Sequence, residues 1–303
     1  MELIKFDKKD AAGISKYYVE HGYVIISNLN SAAVIDEFIS EYEKFKKKSN
    51  FLINAQDTNR PEKLRINQEG FIENSIMDPL DITFAGKFSD KAKKVIINEG
   101  ISKLLAIVTR VDVNVQWQSM FFDKSTGTVI HQDAYYLDSD PPGKLVGVWY
   151  ALEDIELDAG CFYVCPKTHV LGKILFAGQS HKDYVQSMLA YTKENQISKV
   201  PCPLKKGDVL FWNSFTLHGS FENTNPKFSR KSFTAHFIPA GMNRKAKKIP
   251  KLTESGVKGI LTRKKISALE KLRYMKTFTK YLLVNKLSNK VDMEMKSKEY
   301  NER

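Results

Sequence analysis

His131-Gln132-Asp133-Ala134-Tyr135-Tyr136, set against Leu217-His218-Gly219-Ser220 and the Arg230 that follows, decides how this chain must fold. Two imidazoles and one carboxylate form the facial donor set of non-haem Fe(II), which leaves neighbouring coordination positions open for other ligands. Alternation along an extended strand puts residues i and i+2 on one face, so His131 and Asp133 are expected to reach the same ion without distortion. His218 lies 85 residues beyond Asp133, and the fold has to bring it back. A His-x-Asp alone recurs in unrelated chains as a surface histidine beside a solvated acid. With only six histidines in 303 residues, a second element of Leu-His-Gly-Ser form, followed twelve residues after its histidine by Arg230, favours metal ligation over coincidence.

Around these residues the chain breaks into short β-prone runs bounded by Gly, Pro, Asn or Asp. They are Val113 to Phe122, Val129 to Asp133, Leu145 to Glu153, Cys161 to Val164, Val200 to Leu204, Val209 to Phe211, Thr216 to Ser220 and Lys231 to Ile238. Such runs predict a sandwich or barrel, interrupted by one helix near Lys182 to Lys193. A double-stranded β-helix of the jelly-roll, cupin-like type accommodates that many strands and lets residues distant in sequence meet inside it. On the amino-terminal side, periodicity predicts helices near 10–20, from Ser31 to about Lys48, and over 87–99 and 101–109, with a strand at Val24 to Ile26. Residues 50–79 read as an irregular segment of the kind that often forms a lid. The expected class is mainly β with flanking helices.

The run from His131 to Tyr136 is followed by Val148-Trp149-Tyr150-Ala151-Leu152-Glu153-Asp154 and by Gly160-Cys161-Phe162-Tyr163-Val164-Cys165-Pro166-Lys167-Thr168-His169. With Glu20-His21-Gly22-Tyr23-Val24-Ile25-Ile26 upstream, the order and spacing resemble the phytanoyl-CoA dioxygenase family of iron and 2-oxoglutarate oxygenases, over roughly residues 5 to 240. The resemblance implies Fe(II) on His131, Asp133 and His218, and the distal carboxylate of 2-oxoglutarate on Arg230 with help from Ser220. An Arg fork suits a carboxylate bidentately, and Ser220 shares a strand face with His218. Trp149 and Met120 match family positions that contact the cosubstrate, and Arg65 sits near where the family carries a basic contact. The implied reaction consumes O2 and 2-oxoglutarate, releases succinate and CO2, and usually hydroxylates the substrate. Related halogenases replace the triad carboxylate with a small residue, and Asp133 argues against that outcome.

The resemblance leaves the substrate open. Gln116 and Gln118 alternate onto one face of the strand leading to the site, and Tyr135 and Tyr136 follow the first ligands. These four are the candidates for substrate contact, against the plainer reading as ordinary strand residues. His21 and His169 read as turn residues, and His181 and His236 lack partners at ligand spacing. Cys161, Cys165 and His169 lack the fourth ligand and the close cysteine pair of a structural zinc site.

A hydrophobic content of 42% over 303 residues suffices for a sizeable core. Three cysteines fit a reduced cytosolic protein better than a disulfide scaffold. The start, Met1-Glu2-Leu3-Ile4-Lys5-Phe6-Asp7, carries no secretory core, and no apolar run approaches a membrane span. A soluble, cytoplasmic protein is expected. The net charge of +12 is localised: residues 1–240 hold 29 basic and 29 acidic side chains, whereas residues 241–303 hold 18 and 6. Charge therefore divides the chain into a neutral dioxygenase domain, 1–240, and a basic extension, 241–303. In the extension Ile266, Leu269, Leu272, Met275, Phe278 and Leu282 recur at helical spacing over about 264–287. Packing of that helix on the domain is the simpler expectation, and peripheral contact with an anionic membrane is the alternative. No groove-reading feature points to nucleic acid, so the expected partner is a small-molecule or lipid-linked substrate. Two rival classes stand beside the oxygenase: a non-catalytic jelly-roll ligand-binding protein, and a cupin-type metal-dependent hydrolase or isomerase that needs no keto acid.

Overall fold

The computed structural model describes residues 3–48, 51–82, 85–176, 180–244 and 251–263, with Lys276 and Thr279 beyond them. Its first helix, α1 (Ala11–His21), starts where the Asp10 side chain accepts from the Gly13 N–H, and stops at Gly22. The φ of 78° there suits a residue without Cβ and turns the chain directly into β1 (Tyr23–Ile26). Ser31 caps α2 (Ala32–Lys47), which is followed by three short strands, β2 (Ile53–Ala55), β3 (Arg60–Glu62) and β4 (Ile76–Met77). The stretch expected to be irregular therefore extends a sheet by backbone pairing. Helices α3 (Gly86–Ile96) and α4 (Glu99–Thr109) lead to the long strand β5 (Asn114–Phe122).

Past β5 come the one-turn helix α5 (Asp133–Tyr136), β6 (Ser139–Asp140), β7 (Val146–Ala151) and β8 (Phe162–Val164). Helix α6 (His181–Glu194) precedes β9 (Val200–Cys202), β10 (Val209–Asn213), β11 (His218–Ser220) and β12 (Ser232–Pro239). The described chain closes with β13 (Asn243–Arg244), β14 (Leu252–Glu254) and β15 (Ile260–Arg263). The large sheet runs β1-β10-β7-β12-β5-β4-β2-β3, and a small sheet, β11-β8-β9, faces it.

The central strands of the large sheet are buried on both faces, and their alternation divides two cores. Val148, Tyr150, Val209, Phe211, Phe233 and Ala235 face the helices, where Phe38 of α2 packs 4.7 Å from Phe233 and 5.4 Å from Phe121. Trp149, Leu210 and Trp212 point the other way, toward Phe162 and Val164 of the small sheet. That inner face carries the site.

Two expectations change here. Charge suggested a boundary at 240, yet β15 pairs in parallel with Asn114–Gln116 of β5, and Ile260 is buried in the helix-side core. Arg263 is ion-paired with Asp78 at 2.9 Å and Asp81 at 3.0 Å, so the sheet continues through the first part of the basic extension. Within the helix expected over 264–287, Lys276 and Thr279 alone are described, both with helical backbone, and the rest lies outside the described residues. The expected strand at 129–133 is only a single bridge, His131 to His218, before α5 begins at Asp133.

Candidate metal centre and cosubstrate pocket

The bridge between His131 and His218 is a reciprocal pair of backbone hydrogen bonds, 3.0 and 3.1 Å long. It sets the two imidazoles side by side with ring centroids 4.3 Å apart. Asp133 enters as the first residue of α5, so the turn of a helix, rather than strand alternation, aims its carboxylate. One donor atom from each of the three residues lies within 4.8 Å of the others. Between the ligands, Gln132 points away and locks the loop. Its Nε2 donates to Gly172 O at 2.8 Å and Phe215 O at 2.7 Å, and its Oε1 accepts from Ile174 N.

The protonation states suit a cation. Nδ1 of His131 is 2.7 Å from Val129 O, and Nδ1 of His218 is 2.9 Å from Thr216 O. Each Nδ1 therefore carries the donated proton and leaves the Nε2 lone pair for a metal. Burial pushes His218 down to about 3 and lowers His131 as well, against the pull of Asp133, so both stay neutral. Burial alone would raise the Asp133 carboxyl, but His218, His236 and His131 outweigh it and hold the group below the usual carboxylate range. Oδ2 of Asp133 accepts from Trp212 Nε1 at 2.8 Å. Trp212 can lie there because its strand neighbour is Gly147, where a Cβ would come within 2.1 Å of the indole.

Beyond the ligands opens a cleft of about 470 Å³ of atom-free space, open solvent included, lined by Met120, Trp149, Ser220 and Arg230 among others. Arg230 is 2% exposed, its guanidinium sits 5.3 Å from the Phe122 ring and 5.8 Å from Trp149, and its Nε has no hydrogen-bond partner. Among the described residues no acidic side chain forms an ion pair with it. Burial lowers this guanidinium to about 10, the mark of a cation built into an apolar wall without its anion. Ser220 Oγ accepts from Thr128 N at 2.8 Å, which leaves its own proton to donate into the cleft. The Arg230 backbone is fixed by donation to Asp123 O at 2.8 Å, and the Asp123 carboxylate ties in Tyr42 and Ile72.

Seven of the anticipated residues, His131, Asp133, His218, Met120, Trp149, Ser220 and Arg230, line this one cleft. Arg65 does not: its guanidinium is engaged by Glu62 and Asp57 on the surface of its own loop, which satisfies the charge that was expected to meet the cosubstrate. Gln116 and Gln118 part company because the register of β5 against β12 skips Trp117, a bulge that reverses the alternation. Gln116 turns to a separate pocket beside Leu80, Lys93 and Arg263, while Gln118 stays half-buried opposite His236, outside the cleft lining. Tyr135 stacks on Tyr184 at 3.5 Å and is a packing residue. Tyr136 is exposed and outside the cleft lining, edge-on to His131 at 5.4 Å and hydrogen-bonded to His181 Nε2 at 2.8 Å. His236, expected to lack partners at ligand spacing, stands outside the convergent donor group but lies 3.4 Å from Asp133 Oδ2 and lines the cleft with Thr234. Even spacing on β12 could have revealed it, since Thr234 and His236 share a face.

Comparison with known proteins gives the family and the fold. The family model described as Phytanoyl-CoA dioxygenase (PhyH) matches residues 18–232. The peroxisomal phytanoyl-CoA dioxygenase of Bos taurus is 26% identical over 246 residues, covering 74% of this chain and 67% of the relative. A phytanoyl-CoA dioxygenase of Arabidopsis thaliana is 28% identical over 187 residues, covering 59% of each. Among solved structures, the non-haem alpha-ketoglutarate-dependent carbocyclase SnoK from nogalamycin biosynthesis superposes with a TM-score of 0.58 at 19% identity, over 79% of this chain and 88% of its own. The epimerase SnoN, in complex with Fe3+, alpha-ketoglutarate and nogalamycin RO, gives 0.56 at 16% identity, over 78% and 86%. These likenesses establish the jelly-roll fold. Because the family model covers well over half of its length, the chain belongs to the phytanoyl-CoA dioxygenase family of iron- and 2-oxoglutarate-dependent oxygenases.

Proposed function

We propose that the chain hydroxylates a small-molecule or lipid-linked metabolite, with iron on His131, Asp133 and His218 and the distal carboxylate of 2-oxoglutarate on Arg230 and Ser220. The observation that carries this reading is the buried Arg230 without an anion, in the same cleft as an open set of three metal donors. The donor set fits iron, with two neutral imidazoles and an ionised carboxylate on one side, and the orphaned guanidinium fits a keto diacid. When bound, the metal and keto acid activate O2 and supply the oxidative chemistry, with release of succinate and CO2. The chain's own part is to bind, orient and exclude water. Arg230 and Ser220 grip the far end of the cosubstrate; Met120, Trp149 and Phe162 wall the cleft. Tyr136, exposed beside His131, and Gln118 less directly, are the proposed substrate contacts.

A small-molecule substrate accords with the neighbour solved with nogalamycin RO. Among the described residues no helix is long and apolar enough to cross a membrane. The cytoplasm is the proposed compartment, on the strength of three buried, unpaired cysteines, although the bovine and human relatives carry the name peroxisomal. Peripheral contact of the basic extension with an anionic membrane is a further proposal that rests on its charge alone. Anaerobic Fe(II) with 2-oxoglutarate tests the site: a visible charge-transfer band is expected, and metabolites that stimulate succinate release identify the substrate class. A band without succinate under every metabolite would mark a ligand-binding protein. Turnover without keto acid would mark a hydrolase or isomerase.

A further inference from the structure

Asp133 is held unevenly. Its Oδ1 faces the ligating nitrogens, 3.8 Å from His131 Nε2 and 3.5 Å from His218 Nε2. Its Oδ2 is turned away from them, accepting from Trp212 Nε1 at 2.8 Å and lying 3.4 Å from His236 Nε2. His236 is 2% exposed, and neither of its ring nitrogens has a hydrogen-bond partner. A buried imidazole with both nitrogens orphaned is costly unless a neighbour meets it, and the nearest carboxylate oxygen is this one. A carboxylate can hold a metal through one oxygen or chelate it through both. Chelation would use a coordination position that the facial arrangement otherwise leaves open.

We infer that His236 is a positioning residue: with Trp212 it occupies Oδ2 of Asp133, so that the carboxylate offers Oδ1 alone to the iron and leaves the remaining positions to the keto acid. This rests on the iron and 2-oxoglutarate reading of the site. His236 itself stands outside the group whose donor atoms converge, and it touches the oxygen that faces away from the other imidazoles. Its place is set by β12, where the strand pairs with Gly147 on one side and Gln118 on the other.

Two substitutions separate positioning from packing. His236→Gln keeps an N–H near the position of Nε2, and His236→Phe keeps the ring without the donor. Each protein is loaded anaerobically with Fe(II), titrated with 2-oxoglutarate through the charge-transfer band, and melted alongside wild type. The glutamine variant is expected to match wild type in band position and keto-acid Kd. The phenylalanine variant is expected to retain iron, with a displaced band and a Kd raised about ten-fold, the scale at which partners of metal ligands act. If His236→Phe matches wild type in band and Kd, or if both variants fold normally and lose affinity equally, the inference is overturned. Should His236→Phe fail to fold, His236→Asn replaces it, because its shorter arm cannot reach Oδ2. The same loss is then expected, and a wild-type Kd overturns the proposal. A wild-type protein without any band refutes the cosubstrate reading, and this inference with it.

Discussion

Arg230→Met should move stability and cosubstrate binding in opposite directions. Burial takes the guanidinium from its ordinary value down to about 10, more than two pH units, which means that the folded protein disfavours the charged form. At every pH below that lowered value the arginine is charged in both folded and unfolded chains, so the charge destabilises the unliganded fold throughout the neutral range. At about 1.4 kcal/mol for each pH unit that folding moves a pKa, the cost is on the order of 3 kcal/mol as an upper bound. Methionine keeps an unbranched apolar stem against Phe122 and Trp149 and removes the charge. At roughly 2–4 °C per kcal/mol for domains near this size, the unliganded variant is expected to melt a few degrees above wild type. Its 2-oxoglutarate Kd should rise about ten- to a hundred-fold, the equivalent of a lost charge-assisted contact of about 1.5–3 kcal/mol. Melting curves with Fe(II), with and without 2-oxoglutarate, read both effects in one assay. A variant that melts below wild type and still gains stability from 2-oxoglutarate would refute the reasoning and make Arg230 a brace for the aromatic wall.

Alanine at His131, Asp133 or His218 should abolish iron binding, measured by equilibrium dialysis, while thermal melting of the metal-free protein stays within a few degrees of wild type, since the cores flank rather than include the ligands. Stability of the metal-free protein should fall as pH drops from about 7 toward 3. His131 and His218 are held neutral in the fold and take up protons on unfolding, so each contributes stability that is present above its ordinary value of 6.5 and lost toward its lowered one. Chemical denaturation across that range should give a slope near 1.4 kcal/mol per pH unit from His218, to which His131 adds in the same direction, and His218→Gln should flatten it. Deleting residues 241–303 removes Ile260 from the core and Arg263 from its two aspartates, so it should lower Tm or solubility, whereas a chain ending after Arg263 keeps both contacts. Comparing the chain ending at Arg263 with the full chain on anionic vesicles at low and high salt tests the membrane proposal; equal sedimentation of the two would end it.

The convergence of His131, Asp133 and His218 on one cleft with Arg230 was legible because a facial donor set needs rare residue types in a short span. Its local geometry was not. Asp133 meets the two imidazoles from the first turn of α5, and Gln132, which clamps that loop to Gly172 and Phe215, has no signature beyond an amide between two candidate ligands. Arg65 misled because a cation's partner is decided by nearby acids, and Glu62 and Asp57 lie in its own loop. Gln116 misled because alternation assumes an unbroken strand, and the extra residue at Trp117 breaks it. Charge counting placed the boundary at 240 because it weighs surface residues. Ile260, which joins the strand to the core, carries no charge to count.

Strand alternation, where it is unbroken, explains why this fold can hold a demanding site. On β12, Phe233, Ala235 and Phe237 are buried on the helix side, whereas Thr234 and His236 line the cleft. On β7 and β10, Val148 and Phe211 serve the helices while Trp149 and Trp212 serve the cleft. Each large apolar side chain buried outward contributes roughly 1.5–3 kcal/mol and also fixes the pleat that aims its inward neighbours. The groups that orient Asp133 and wall the cosubstrate pocket therefore stand on a strand lattice braced from behind. Two of the candidate metal ligands come instead from the loop end at His131 to Asp133, where α5 begins. Rigidity is supplied there by hydrogen bonds: the His131–His218 bridge, the Gln132 clamp and the two carbonyls that orient the imidazoles.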